Sequence, residues 1–129
     1  VVIDTAPTGH TLLLLDSTQS YHKEVERTQG NITPAVQNLL PRLRKENETE
    51  VVIVTLPETT PVFEAQRLQK DLLRAGIKNK WWVVNSSLLL TSTNSPFLKA
   101  KALSEMQWIN EVKQISNGNF AVIEWKGEV

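Results

Sequence analysis

Four short apolar runs rich in β-branched and aromatic residues punctuate the chain: Val1 to Ile3, Val51 to Leu56, Trp81 to Val84, and Phe120 to Trp125. None alternates cleanly between apolar and polar positions, and Val51-Val52-Ile53-Val54 is apolar throughout. Such runs predict strands buried on both faces, as in a parallel sheet. Helical periodicity fills the intervals, which is the βαβ rhythm of an α/β fold. The clearest helix is expected from about Pro61 to Ala75, capped by Thr60, with Pro61 in its first turn and Gly76 as its stop. Its apolar face is Val62, Ala65, Leu68, Leu72 and Ala75. A second is expected from about Pro96 to Ser116, ended by Asn117-Gly118, with Ala102, Met106, Ile109, Val112 and Ile115 as its stripe. A third, from about Pro34 to Lys45, would be kinked by Pro41. Ser17 to Gly30 offers another, more polar helix. No repeat, low-complexity tract or linker interrupts this order, and Glu46 to Glu50 reads as a polar turn within one domain.

Composition narrows the functional classes. The 129 residues suit a single domain, large enough to bury a core. Lys and Arg total 14, as do Asp and Glu, and this balance argues against a general nucleic-acid or acidic-membrane binder. Cysteine is absent, so the chain has no disulfide, no Cys zinc site and no thiol nucleophile of its own. Uninterrupted apolar runs such as Leu12 to Leu15 are too short to span a membrane. Val1 already starts a strand pattern, without initiator Met or polar lead-in, so the chain is expected to be a piece of a longer protein.

The most informative stretch is Asp4-Thr5-Ala6-Pro7-Thr8-Gly9-His10-Thr11, directly after the first strand pattern. A carboxylate at the carboxyl end of a parallel strand sits where open α/β sheets bind ligands. In phosphate-handling proteins such a group orients Mg²⁺ through water, and the following Pro and Gly permit a loop that senses a γ-phosphate. The plainer role for Asp4 is capping the next helix. Glu58 follows the second strand and Asn85 the third, so a parallel sheet would gather all three on one rim. The Asn85 amide offers both a donor and an acceptor, which suits the edge of an adenine ring. Taken singly, Glu58 as a helix start and Asn85 as a turn residue are the plainer readings. His10 and His22 are the only histidines, and a structural hydrogen-bonding role is the ordinary one for each. No Gly-rich phosphate loop ending in Gly-Lys-Ser/Thr occurs, which excludes a self-contained P-loop NTPase.

The segment DTAPTGHT (Asp4 to Thr11), with Leu12-Leu13-Leu14-Leu15-Asp16 after it, resembles the signature of the arsenical pump-driving ATPase (ArsA) family. The resemblance extends through VTLPETTPVFEA (Val54 to Ala65) and VVN (Val83 to Asn85) and covers essentially the whole chain. It implies an α/β fold: a partial P-loop-NTPase-like, mostly parallel sheet flanked by helices and lacking the phosphate-loop portion. Residues 1–129 would be one partial ATPase domain, its carboxyl-terminal part from the switch II strand onward. Asp4 would be the Mg²⁺-associated switch II Asp. Thr5, Pro7, Gly9 and His10 would belong to the moving switch, with His10 also a possible metalloid ligand. Glu58 and Asn85 match nucleotide-contacting positions, Asn85 at the adenine. Ile123, Glu124, Gly127 and Glu128 would begin the loop that wraps the base, although the prolines usual there are missing.

The implied cofactors are ATP and Mg²⁺. Zinc is not expected, because the region near Ser95 to Lys99 lacks the Cys-x-x-Cys clasp of the related targeting factors for tail-anchored membrane proteins. Those factors also insert a long hydrophobic helical region, whereas here about forty fairly polar residues separate His10 from Val51. The resemblance therefore implies a cytoplasmic ATPase, peripheral to the inner membrane, that drives an integral membrane arsenite/antimonite transporter. The alternative is a targeting or chaperone ATPase of the same fold that binds hydrophobic client segments. Thiolates for a soft metalloid, and the phosphate loop, would come from the remainder of the ATPase chain or a second ATPase unit. The isolated chain is expected to be inactive and, with strand edges uncovered, to self-associate.

Overall fold

The computed structural model describes residues 2, 4, 41–92 and 94–127. These residues fall into two compact units. One contains residues 2, 4, 41–50 and 68–78, the other residues 51–67, 79–92 and 94–127.

In the larger unit, three parallel strands form one sheet in the order β1-β2-β3: β1 Val52–Thr55, β2 Trp81–Ser87 and β3 Phe120–Glu124. Helix α1, Thr59–Arg74, joins β1 to β2, and helix α2, Pro96–Ile115, joins β2 to β3. Val52 to Thr55 align with Trp81 to Val84, and Trp82 to Val84 with Phe120 to Val122. The βαβαβ rhythm and the parallel sheet thus follow the hydrophobic pattern. Of the leading run Val1 to Ile3 only Val2 is described. It is exposed and belongs to no strand, since the described strands pair only with one another.

Burial on both faces is not what the described sheet shows. Ile53, Thr55, Trp82 and Val84 are buried, while Val52, Val54 (60% exposed) and Trp81 are open. The reason is topological. Both crossovers step the same way across the sheet, and crossovers of one hand then lay their helices on one face. The helices meet there: Phe63 packs edge-to-face on Trp108 with ring centroids 5.6 Å apart, and Gln66 Nε2 donates to Glu111 Oε1 at 3.0 Å. Val62 and Ala65 of α1 with Ala102 and Val112 of α2 complete the core over Ile53, Trp82 and Val84. Burial of a large apolar side chain of this kind contributes about 1.5–3 kcal/mol. The Trp82 indole N–H has no hydrogen-bond partner among the described residues.

The ends of both helices explain their lengths. The first intrahelical bond of α1 runs from the Val62 N–H to the Glu58 carbonyl at 3.1 Å, so Glu58 rather than Thr60 stands at the cap position. Pro61 fits in that first turn because its missing N–H would have no helical acceptor. At the other end Gly76 is left-handed (φ 78°) and donates to the Leu73 carbonyl at 3.0 Å, and the Ile77 N–H reaches Leu72 at 2.8 Å. In the same unit Arg44, from the helical residues 41–44, donates through Nε to the Ala75 carbonyl at 2.7 Å. The rest of the Pro34 to Lys45 helix, and Ser17 to Gly30, lie outside the described residues. Helix α2 begins at Pro96 behind Ser95, whose hydroxyl accepts from the Leu98 N–H. It ends in the same way as α1, with Asn117 left-handed (φ 53°) and the Gly118 N–H on the Lys113 carbonyl at 2.9 Å.

One prediction for α2 fails. Met106 is 46% exposed, and the inward position beside it belongs to Glu105, only 2% exposed.

Candidate functional site

Parallel strands bring their carboxyl ends to a common edge, and the register fixes what stands there. Thr55, Val84 and Val122 are the last residues before β1, β2 and β3 reach this edge. Glu58 follows β1. Asn85 lies inside β2, which runs on to Ser87 instead of stopping at Val84. Ile123 and Glu124 close β3, and Trp125 to Gly127 follow. The larger unit therefore gathers Glu58, Asn85 and the start of the 123–127 segment on one rim. Asp4 is exposed. Thr5, Pro7, Gly9, His10 and Glu128 lie outside the described residues.

The β1 side of this rim is open. Pro57 is buried, but Glu58 is exposed, and its carboxylate meets Lys101 Nζ of α2 only at 3.9 Å. An ion pair this loose and solvated holds little in place, so the Glu58 carboxylate is free to engage a ligand. Asn85 is half-buried.

The β2 side is tied down, by residues that the sequence patterns did not single out. The ladder between β2 and β3 is regular to Val84 and resumes at Ser87 opposite Glu124, with an irregularity between. Ser86 adopts φ 58°, an uncommon backbone for a non-glycine residue. This kink turns Ser87, Leu88 and Leu89 toward α2, where the buried Glu105 carboxylate receives them. The Ser87 hydroxyl donates to Oε2 at 2.9 Å. The Leu88 N–H donates to Oε2 at 3.0 Å and Oε1 at 3.2 Å, and the Leu89 N–H to Oε2 at 3.4 Å. Successive backbone N–H groups of this kind form a small anion-binding concavity, and the anion here is supplied by the protein itself. Ser87 also receives β3: the Trp125 N–H donates to its carbonyl at 2.8 Å. Thr91 Oγ1 closes the knot by donating to the Trp125 carbonyl at 3.1 Å. Gly127 passes so close to the Trp125 indole that an added Cβ would stand 3.1 Å from the ring.

A signal for Glu105 was present in the sequence. It lies three residues after Ala102 and seven before Val112, hence on the buried face, and two serines close the strand before it. Beyond the knot, Leu88, Leu89, Thr91, Lys99, Ala102 and Leu103 line part of an open concavity of about 580 Å³, which neither Glu58 nor Asn85 enters. Among the described residues, no three His, Cys, Asp or Glu side chains converge as a metal site would require, and no helix is long and apolar enough to cross a membrane.

Comparison with known proteins agrees with this architecture. Residues 31–126 match the family described as anion-transporting ATPase. The chain is 48% identical over 127 residues to an arsenical pump-driving ATPase of Escherichia coli, and 46% identical over 127 residues to one of Acidiphilium multivorum. Each match covers 95% of this chain and 21% of the relative. Identity to the ATPase GET3B of Arabidopsis thaliana is 28% over 146 residues, or 90% of this chain and 36% of that protein. The chain thus spans about a fifth of the length of the bacterial relatives. An open-rimmed parallel sheet, with sequence identity along nearly its whole length to two such pumps, makes this chain a member of the anion-transporting (ArsA-type) ATPase family.

Proposed function

We propose that the chain is the adenine-side part of an ATPase that couples ATP hydrolysis to export of arsenite or antimonite through a membrane-embedded partner. The observation that carries the reading is the 46–48% identity, over 95% of this chain, to two arsenical pump-driving ATPases.

The residues fit the base side of a nucleotide. Asn85 presents a half-buried amide at the carboxyl-end rim, and an amide can donate to and accept from the same adenine edge. Glu58 presents its carboxylate from the neighbouring strand end, and Ile123, Glu124, Gly127 and Glu128 start the segment that wraps the base. Asp4 would hold Mg²⁺ through water, and Thr5, Pro7, Gly9 and His10 would move as the switch. Mg²⁺, when bound, neutralises charge on the phosphates. The phosphate loop and any thiolates for a soft metalloid would come from the rest of the ATPase or a second unit, so the 129-residue chain alone is expected to be inactive. The working site would be cytoplasmic, against the inner membrane.

The test is antimonite-stimulated ATP hydrolysis by the full-length protein. Asp4→Asn, which removes the charge that positions the metal, should lower turnover about 10²- to 10³-fold. Turnover unchanged in that variant would exclude the assigned role of Asp4. Full activity of the isolated 129-residue chain would exclude the division of labour.

A further inference from the structure

Glu105 has no role in the function just described, yet its surroundings are too specific for a filler of space. A carboxylate on the inward face of a helix stands on an apolar stripe, where a leucine would fit by pattern. Burial of a charge is unfavourable unless hydrogen bonds replace its water. Here they do, and every donor among the described residues comes from one short stretch: the Ser87 hydroxyl, the Leu88 N–H and the Leu89 N–H. That stretch begins two residues after Asn85. It also carries the outlying Ser86 backbone (φ 58°), a conformation that persists only when its surroundings enforce it. Through the Ser87 carbonyl the same stretch holds Trp125, the exit of β3. Glu105 therefore joins both arms of the rim, Asn85 on β2 and the 123–127 segment on β3, to the rigid body of α2.

We propose that Glu105 is a positioning residue for base recognition: its buried carboxylate fixes the Ser86–Leu89 kink, and through it the Asn85 amide and the Trp125 segment. The inference rests on the reading of this rim as the adenine site. Glu105 does not touch the nucleotide. It sets the geometry of groups that do, so its loss should weaken recognition of the base and spare the chemistry at the phosphates. A residue serving only stability would lower the unfolding temperature without altering the preference among bases.

The experiment is steady-state hydrolysis of MgATP and MgGTP by the full-length ATPase. For Glu105→Ala the expected result is a rise in KM for ATP of about tenfold, with kcat falling less than about threefold, because the orphaned donors release the groups they oriented. The preference for ATP over GTP should fall by a similar factor. Glu105→Gln, which keeps one carbonyl acceptor, should recover part of both. Unchanged KM and base preference in Glu105→Ala would overturn the proposal. Should that variant not fold, Ser87→Ala removes a single donor and is expected to raise KM for ATP about threefold. Unchanged KM in both Ser87→Ala and Glu105→Gln would equally overturn it. Failure of the underlying adenine reading shows differently: Asn85→Ala would then leave KM and base preference untouched, whatever Glu105 does.

Discussion

The two loops that leave β1 and β2 at the same edge of the sheet are built on opposite plans. After β1 the chain turns through Pro57 and enters α1 at once, leaving Glu58 exposed and, among the described residues, paired only with Lys101 at 3.9 Å. After β2 the chain kinks at Ser86 and delivers its next three residues to a carboxylate buried in α2. One side of the rim is open to solvent and the other is fixed. A site that must discriminate a ligand benefits from rigid groups, since orientation fixed in advance need not be provided by binding energy. A site that must also release its ligand benefits from one side that can give way. If the rim binds the nucleotide base as proposed, the contrast would give orientation to the β2 side and accommodation to the β1 side.

The contrast can be broken most severely at Glu105. Glu105→Ala should cost about 2–4 kcal/mol in denaturant unfolding, because the Ser87, Leu88 and Leu89 donors stay buried without an acceptor. A loss below 1 kcal/mol would mean that the β2 side is not fixed in the way described. Asn85→Ala separates stability from recognition. Its half-buried position predicts less than about 0.5 kcal/mol of destabilisation, alongside an ATP affinity lower by about tenfold in the full-length protein. The smallest effect belongs to the open side. Breaking the Glu58–Lys101 pair with Lys101→Met should change stability by no more than about 0.5 kcal/mol, and less in high salt. A large effect there would erase the difference between the two loops.

Much of the fold was legible in the chain because it depends on local rules. Gly76 and Asn117-Gly118 stop their helices by adopting left-handed backbone, which few residues accept readily. The run around Val51 to Leu56 and the periodic face of Val62, Ala65 and Leu72 specify strand and helix through burial alone. What was not legible depends on distant partners. Met106 looked like the inward residue because apolar periodicity treats a glutamate as solvent-facing, and the donors that allow Glu105 inside lie 16 to 18 residues earlier. Burial of both faces of the sheet was expected from apolar strands, but the side on which each crossover helix lies follows from strand order, which periodicity does not encode. Of the site, the positions after the strands were readable, since parallel strands must share a carboxyl edge. Of the Glu105 knot beside them, only the inward position of Glu105 was readable, not the donors that meet it.

The most direct test of the rim as the nucleotide-base site is the Asn85 side-chain amide itself. In the full-length ATPase, with asparagine side chains selectively labelled, saturating MgATP should shift the Asn85 amide resonance. Inorganic triphosphate with Mg²⁺, which lacks a base, should leave it in place. An Asn85 resonance unmoved by saturating MgATP would contradict the account.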